Sequence, residues 1–274
     1  MPATAHERLA ALHLPGTIRF GAIPAEPVRR LPTGLAPLDA LLGGGLPRGH
    51  LSEIVGAPAS GRTSVLHALL AAVTRGGEVA ALVDLPDALD PASLAQAGAQ
   101  LDRILWVRPP SAPLALKCAE LILGAGGFAV VAIDLDVGQA SPFLGPRASR
   151  PQIPNASSTP PPSASRRLSR ATWPRLAQAA RGAGAVAVIL AQRRLADGVA
   201  AVAIQLTQHR PRWSERLFEG LTTSATLTRS RFSPAERAAV LMLGEQAAAL
   251  DGVSVQRLER IRQAGRGSDR VASG

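Results

Sequence analysis

The chain has little cysteine, little aromatic content and almost no lysine, and each shortage excludes something. A single cysteine, Cys118, rules out an intramolecular disulfide framework and fits a reducing compartment. There is no tyrosine, and aromatics make up only 3% of 274 residues, so a core must be built from aliphatic side chains. No apolar run reaches the roughly 18 residues of a membrane span, and the opening MPATAHERLAALHLPG lacks the apolar stretch of a signal peptide. A cytoplasmic protein without membrane contact is the expectation. The most informative absence is of acid: between Asp136 and Asp197 there is no Asp or Glu, but there are nine arginines.

That gap polarises the charge. Residues 1–150 carry twelve basic and twelve acidic side chains, whereas residues 151–274 carry eighteen and eight, so the net +10 lies wholly in the second part. With Lys117 the only lysine, codon bias accounts for arginine over lysine, but not for the missing acids. A one-sided positive half points to a polyanion or an acidic protein as partner.

What is present alternates between strand and helix patterns. Residues 4–13 read as a short amphipathic helix, followed by a Pro/Gly-punctuated stretch to Arg30. Apolar runs at 50–56, 78–84, 103–108, 128–135 and 185–192 predict buried strands, with further β-like segments at 199–207 and 221–229. Helical periodicity appears at 62–74, 91–99, 113–126 and 166–181. Residues 141–165 are rich in Pro and Ser and nearly devoid of core residues, which predicts an unpacked insertion. Residues 233–250 open with Ser233, Pro234 and Glu236 in a helix-cap pattern and predict a helix ahead of a frayed tail. The expected fold is α/β: a three-layer αβα core with a mostly parallel central sheet over residues 31–232, an N-terminal helix and linker over 1–30, and a helical extension over 233–274.

One motif carries chemistry. GAPASGRT (56–63) has the spacing G-x-x-x-x-G-x-T, directly after an apolar strand and directly before an amphipathic helix. That arrangement turns consecutive backbone N–H groups and a helix N-terminus toward one point, which suits a phosphate. Gly56, Ser60, Gly61, Arg62, Thr63 and Ser64 are the candidate nucleotide-binding residues, with Thr63 and then Ser64 as hydroxyl ligands for Mg²⁺. Asp134 ends the strand FAVVAID, where a carboxylate commonly organises the metal's waters.

The stretch TGLAPLDALLGGGLPRGHLSEIVGAPASGRTSVLHALL (33–70) resembles the opening of the core of bacterial RecA and its relatives, and the likeness continues through VDLPDALDPASLAQAGAQLDRILWVRP (83–109), AVVAIDL and AVILAQ. It implies a RecA-like P-loop NTPase core that takes ATP and Mg²⁺. The family's phosphate-loop lysine falls on Arg62, its catalytic glutamate on Pro86, its Mg-associated aspartate on Asp134 and its γ-phosphate-sensing glutamine on Gln192. Arginine is a planar fork where the loop ordinarily wraps a compact ammonium. Proline has no carboxylate to orient water, which leaves Asp87 as the only substitute. The resemblance therefore implies a degenerate site with no intact catalytic residue, with ATP and Mg²⁺ as possible ligands that such a site can have kept or lost.

The short segment after Gln192 and the Pro/Ser-rich stretch, at the place of a RecA DNA-binding loop, resemble the ImuA group, RecA-like accessory proteins of translesion synthesis in the SOS response to DNA damage. That likeness implies single-stranded DNA, a RecA filament, an ImuB-like protein and an error-prone C-family polymerase as partners, with self-association and a place at the bacterial nucleoid. The candidate DNA contacts are Arg166, Arg167 and Arg170, beside the insertion, and Arg193 and Arg194, directly after Gln192. Trp173 either stacks on bases or anchors the core. Two other readings are an ATP-dependent recombinase that tolerates Arg62 and a basic adaptor that binds an acidic protein without DNA.

Overall fold

A computed structural model describes residues 28–135, 171–196, 198–214, 217–232 and 237–244. The helix expected at 4–13, the insertion at 141–165, Arg166, Arg167, Arg170 and the tail lie outside these residues.

Two short strands, β1 (Arg30–Leu31) and β2 (Leu46–Pro47), pair antiparallel around helix α1 (Ala36–Leu42). The phosphate-loop candidate joins β3 (Leu51–Gly56) to α2 (Arg62–Arg75). Then follow β4 (Ala80–Asp84), α3 (Pro91–Gln96), a 3₁₀ turn (Leu101–Arg103), β5 (Ile104–Val107), α4 (Ala112–Ala125) and β6 (Val130–Asp134). After the undescribed stretch come α5 (Thr172–Ala183), β7 (Val186–Ala191), β8 (Val202–Ser214), β9 (Leu217–Ser230) and β10 (Arg237–Leu243). Eight strands form one sheet in the order β10-β9-β8-β3-β7-β6-β4-β5. From β8 to β5 all pairings are parallel; β9 and β10 add an antiparallel flank.

The apolar runs are continuous because the parallel strands are covered on both faces. In β6, Val130 and Ala132 pack with α1, α2 and α3 (Leu38, Leu69, Leu70, Leu94), while Val131 and Ile133 pack with α4 and α5 (Leu116, Leu123, Leu176). This is the expected three-layer α/β core. Trp173 is buried at 5% exposure among the α4–α5 contacts, so it anchors the core and does not stack on a partner.

One expectation fails. The helix predicted from Ser233 onward is, over Arg237–Leu243, the edge strand β10, paired with Leu221–Leu227 of β9. Ala239, Leu241 and Leu243 point into the core while Val240 is exposed, a period of two hidden inside an Ala- and Leu-rich segment. Pairing with the open edge of β9 and burial of three side chains outweigh a helix propensity of a few tenths of a kcal/mol per residue, roughly. The core sheet accordingly extends past residue 232.

Candidate functional site

The parallel strands end on one edge of the sheet, and every candidate nucleotide residue lies at that edge, at or directly after a strand end, in the loop after β3 or in the first turn of α2. Gly56 ends β3 at a point where an added Cβ would collide with the Ser60 hydroxyl and lie 2.8 Å from the Leu206 carbonyl oxygen. Gly61, at φ +92°, turns the chain into α2 without a side-chain cap. The first N–H groups of a 14-residue helix therefore open onto the loop. Thr63 and Ser64 are exposed in that first turn, whereas Ser60 is 2% exposed and its hydroxyl has no hydrogen-bond partner among the described residues. Arg62 is 8% exposed and stands in the first turn of α2, at the positive end of the helix dipole, where an anion is favoured.

Residues 59–64 line a cavity of about 370 Å³ whose other wall is apolar and comes from the far end of β8 and the antiparallel flank: Pro211, Leu221 and Leu243. Strands β8 and β9 run on past the end of β3 and lie against the loop. The Thr223 hydroxyl, wholly buried, sits 2.8 Å from both the Ser60 and Thr207 carbonyl oxygens. Sequence reasoning missed this wall, because it lies more than a hundred residues from the loop and has no motif.

Asp134 ends β6 and Gln192 directly follows β7, with β7 lying between β3 and β6. Both reach the loop's sheet edge, though neither lines the cavity. Asp134 stands two strand spacings from the loop, about 10 Å. Pro86 is half-buried in the loop after β4. The acids around it are committed elsewhere. Asp84 is 2% exposed and accepts from the N–H groups of Ala88 and Leu89 and from Trp106 Nε1, at 3.0–3.2 Å. Asp87, at φ +54°, pairs with Arg108 at 3.5 Å. Asp90 caps α3 through the N–H groups of Ala92 and Ser93.

Of the candidate DNA contacts, the described residues include Arg193 and Arg194, both exposed. Arg194 also pairs at 3.6 Å with Glu53, a wholly buried acid that sequence reasoning passed over. Its signal was a lone carboxylate inside the apolar run LSEIVG. Two arginines of the positive half are spent internally: Arg229 donates to the Ala200 and Gly198 carbonyls, and Arg231 to those of Gly198 and Val199. Arg210 is exposed and Arg212 half-exposed on β8, on the sheet face opposite the cavity wall, in register with Thr222 and Gly220. Among the described residues no helix is long and apolar enough to cross a membrane.

Comparison with known proteins agrees with this geometry. The sequence profile of the RecA N-terminal domain matches residues 15–151, half of the chain. The chain is 40% identical over 119 residues to Protein RecA of Arthrobacter sp. (strain FB24), covering 43% of this chain and 34% of that protein. It is 37% identical over 118 residues to Protein RecA of Thermus thermophilus, covering 43% and 35%. The match thus spans about a third of the length of these relatives. The crystal structure of the RadB recombinase superposes with a TM-score of 0.56 at 20% identity, over 79% of this chain and 97% of that one, a likeness of fold.

Proposed function

The chain belongs to the RecA N-terminal domain family, and from that premise we propose that it is a DNA-repair accessory protein of the ImuA kind, which holds a nucleotide without turning it over and acts by binding. One observation carries this reading. The loop after β4 has Pro86 where the family resemblance requires a carboxylate, and its three acids are engaged with backbone N–H groups, Trp106 or Arg108. Asp87, exposed and ion-paired with Arg108 at 3.5 Å, is the one acid there not tied to N–H groups, and on this reading it does not replace the missing carboxylate in orienting water.

The loop itself fits a phosphate. The close approach at Gly56, the buried Ser60 hydroxyl, the uncapped helix N-terminus and the buried Arg62 all suit an anion. ATP would be held by the N–H groups of residues 60–64 and by Arg62, with Mg²⁺ taken by the hydroxyl of Thr63 or Ser64 and by Asp134 through water. Bound Mg²⁺ would neutralise phosphate charge. Without a base, binding would favour one conformation of the loop and its apolar wall, and no chemistry would follow.

The partners on this reading are single-stranded DNA, a RecA filament and the polymerases of translesion synthesis, an ImuB-like protein and an error-prone C-family enzyme, with self-association in their presence. Exposed Arg193, Arg194 and Arg210 favour a polyanion. The test is nucleotide binding and turnover by the purified chain, with and without single-stranded DNA. ATP should bind, with turnover at background in both cases. DNA-stimulated multiple turnover that Asp134→Asn abolishes would establish an active recombinase ATPase instead.

A further inference from the structure

The connection from β7 to β8 is short for its task. It leaves Ala191 on the loop edge of the sheet and must return to Val202, which pairs with Ser52 near the start of β3. It crosses the face covered by α4 and α5, burying Ala196 and Ala200 there. Few of its backbone groups find ladder partners, and three side chains fasten it. Arg229 and Arg231 take the carbonyls of Gly198, Val199 and Ala200 from one side. Glu53 takes the N–H groups of Leu195 and Ala196 on Oε1, at 2.8 and 2.7 Å, from the other.

Glu53 is 0% exposed, and its Oε2 accepts no hydrogen bond among the described residues. Its ion-pair partner is Arg194, whose side chain is 36% exposed and whose Nε stands 3.6 Å from that oxygen. A buried carboxylate needs such a cation, because burial without one is costly. Arg194 thus serves an internal charge from a position at the surface. Its neighbour Arg193 is also exposed and makes no ion pair among the described residues.

We propose that Glu53 is a positioning residue for the polyanion contact at the start of this crossover, and that it shares Arg194 with the phosphates of a bound single strand. The proposal rests on the reading that Arg193 and Arg194 meet nucleic acid. Glu53 fixes where Arg194 stands, through its hold on the next two residues, and at the same time competes with phosphate for the guanidinium. Among the described residues Arg193 serves no such internal charge. The two adjacent arginines, indistinguishable in sequence, therefore differ in role.

The experiment uses the full chain, a fluorescent oligo-dT strand over a salt series, and thermal melts. Glu53→Gln keeps an oxygen for the two N–H groups and removes the competing charge. It should tighten binding at least threefold and steepen the salt dependence by up to about 0.7 in log–log slope, the share of one phosphate on a single strand. Arg193→Gln should weaken binding and leave the melting temperature alone. Arg194→Gln should weaken binding and lower the melting temperature, since it strands Glu53. A folded Glu53→Gln protein that binds equally or more weakly overturns the proposal. Should that variant fail to fold, the arginine pair decides: equal melting temperatures for Arg193→Gln and Arg194→Gln overturn it as well. If the wild-type chain fails to bind oligo-dT at low salt, the nucleic-acid reading falls and takes this inference with it. By contrast, salt-sensitive wild-type binding unaffected by Glu53→Gln removes the inference alone.

Discussion

Thr223→Val tests whether the antiparallel flank holds the phosphate loop. Threonine and valine have nearly the same volume, so the change opens no cavity; it deletes a buried hydroxyl. That hydroxyl lies 2.8 Å from the carbonyl oxygens of both Ser60 and Thr207, but has one proton and can donate to one at a time. The loss is therefore one hydrogen bond plus part of the cost of a buried carbonyl left short of a donor, about 1–2 kcal/mol. At roughly 2–4 °C per kcal/mol for a domain of this size, the melting temperature should fall by roughly 2–8 °C. Ser60 belongs to the loop that would hold phosphate, so nucleotide affinity should fall with it, by about three- to tenfold, corresponding to about 0.6–1.4 kcal/mol. Thr223→Ser keeps the hydroxyl and should retain most of both quantities. The assays are a thermal melt and titration of a fluorescent nucleotide. If Thr223→Val leaves both stability and affinity unchanged, the flank does not support the loop, and the cavity wall is an accident of packing.

Two further outcomes follow from burial. Trp173→Ala should destabilise the fold by about 3–5 kcal/mol in denaturant titrations, as for other buried aromatics, while Trp173→Phe should leave polyanion binding intact; a loss under about 1 kcal/mol would mean the indole is not a core anchor. Partial burial pushes the His67 imidazole below its ordinary value of 6.5, with the nearby Asp90 carboxylate opposing. The unfolded chain then binds the proton more readily, so stability falls as pH drops below 6.5. Melts near about pH 7.5 and about pH 5.5 should show a smaller loss for His67→Leu than for wild type, and equal losses would count against a neutral buried His67.

Much of this protein is written locally. Continuous apolar runs such as FAVVAID require a strand covered on both faces, and the spacing from Gly56 to Gly61 between a strand and a helix requires a turn that opens backbone N–H groups to an anion. These depend on neighbours a few residues apart, so the α/β core and the strand–loop–helix arrangement at Gly56–Gly61 were legible from residue order. What residue order left open was decided by distant partners. Arg237–Leu243 carries helix-forming residues and becomes a strand, because β9 offers an unpaired edge and the core accepts Ala239, Leu241 and Leu243. Trp173 could have stacked on a base, but α4 and α5 close over it. Arginines 193, 194, 210, 229 and 231 look alike along the chain, yet two of them bind carbonyls of the crossover and one answers a buried carboxylate. A charge is assigned to solvent, to a partner or to the interior by what surrounds it. Those surroundings come from segments far away in sequence, and only the folded chain brings them together.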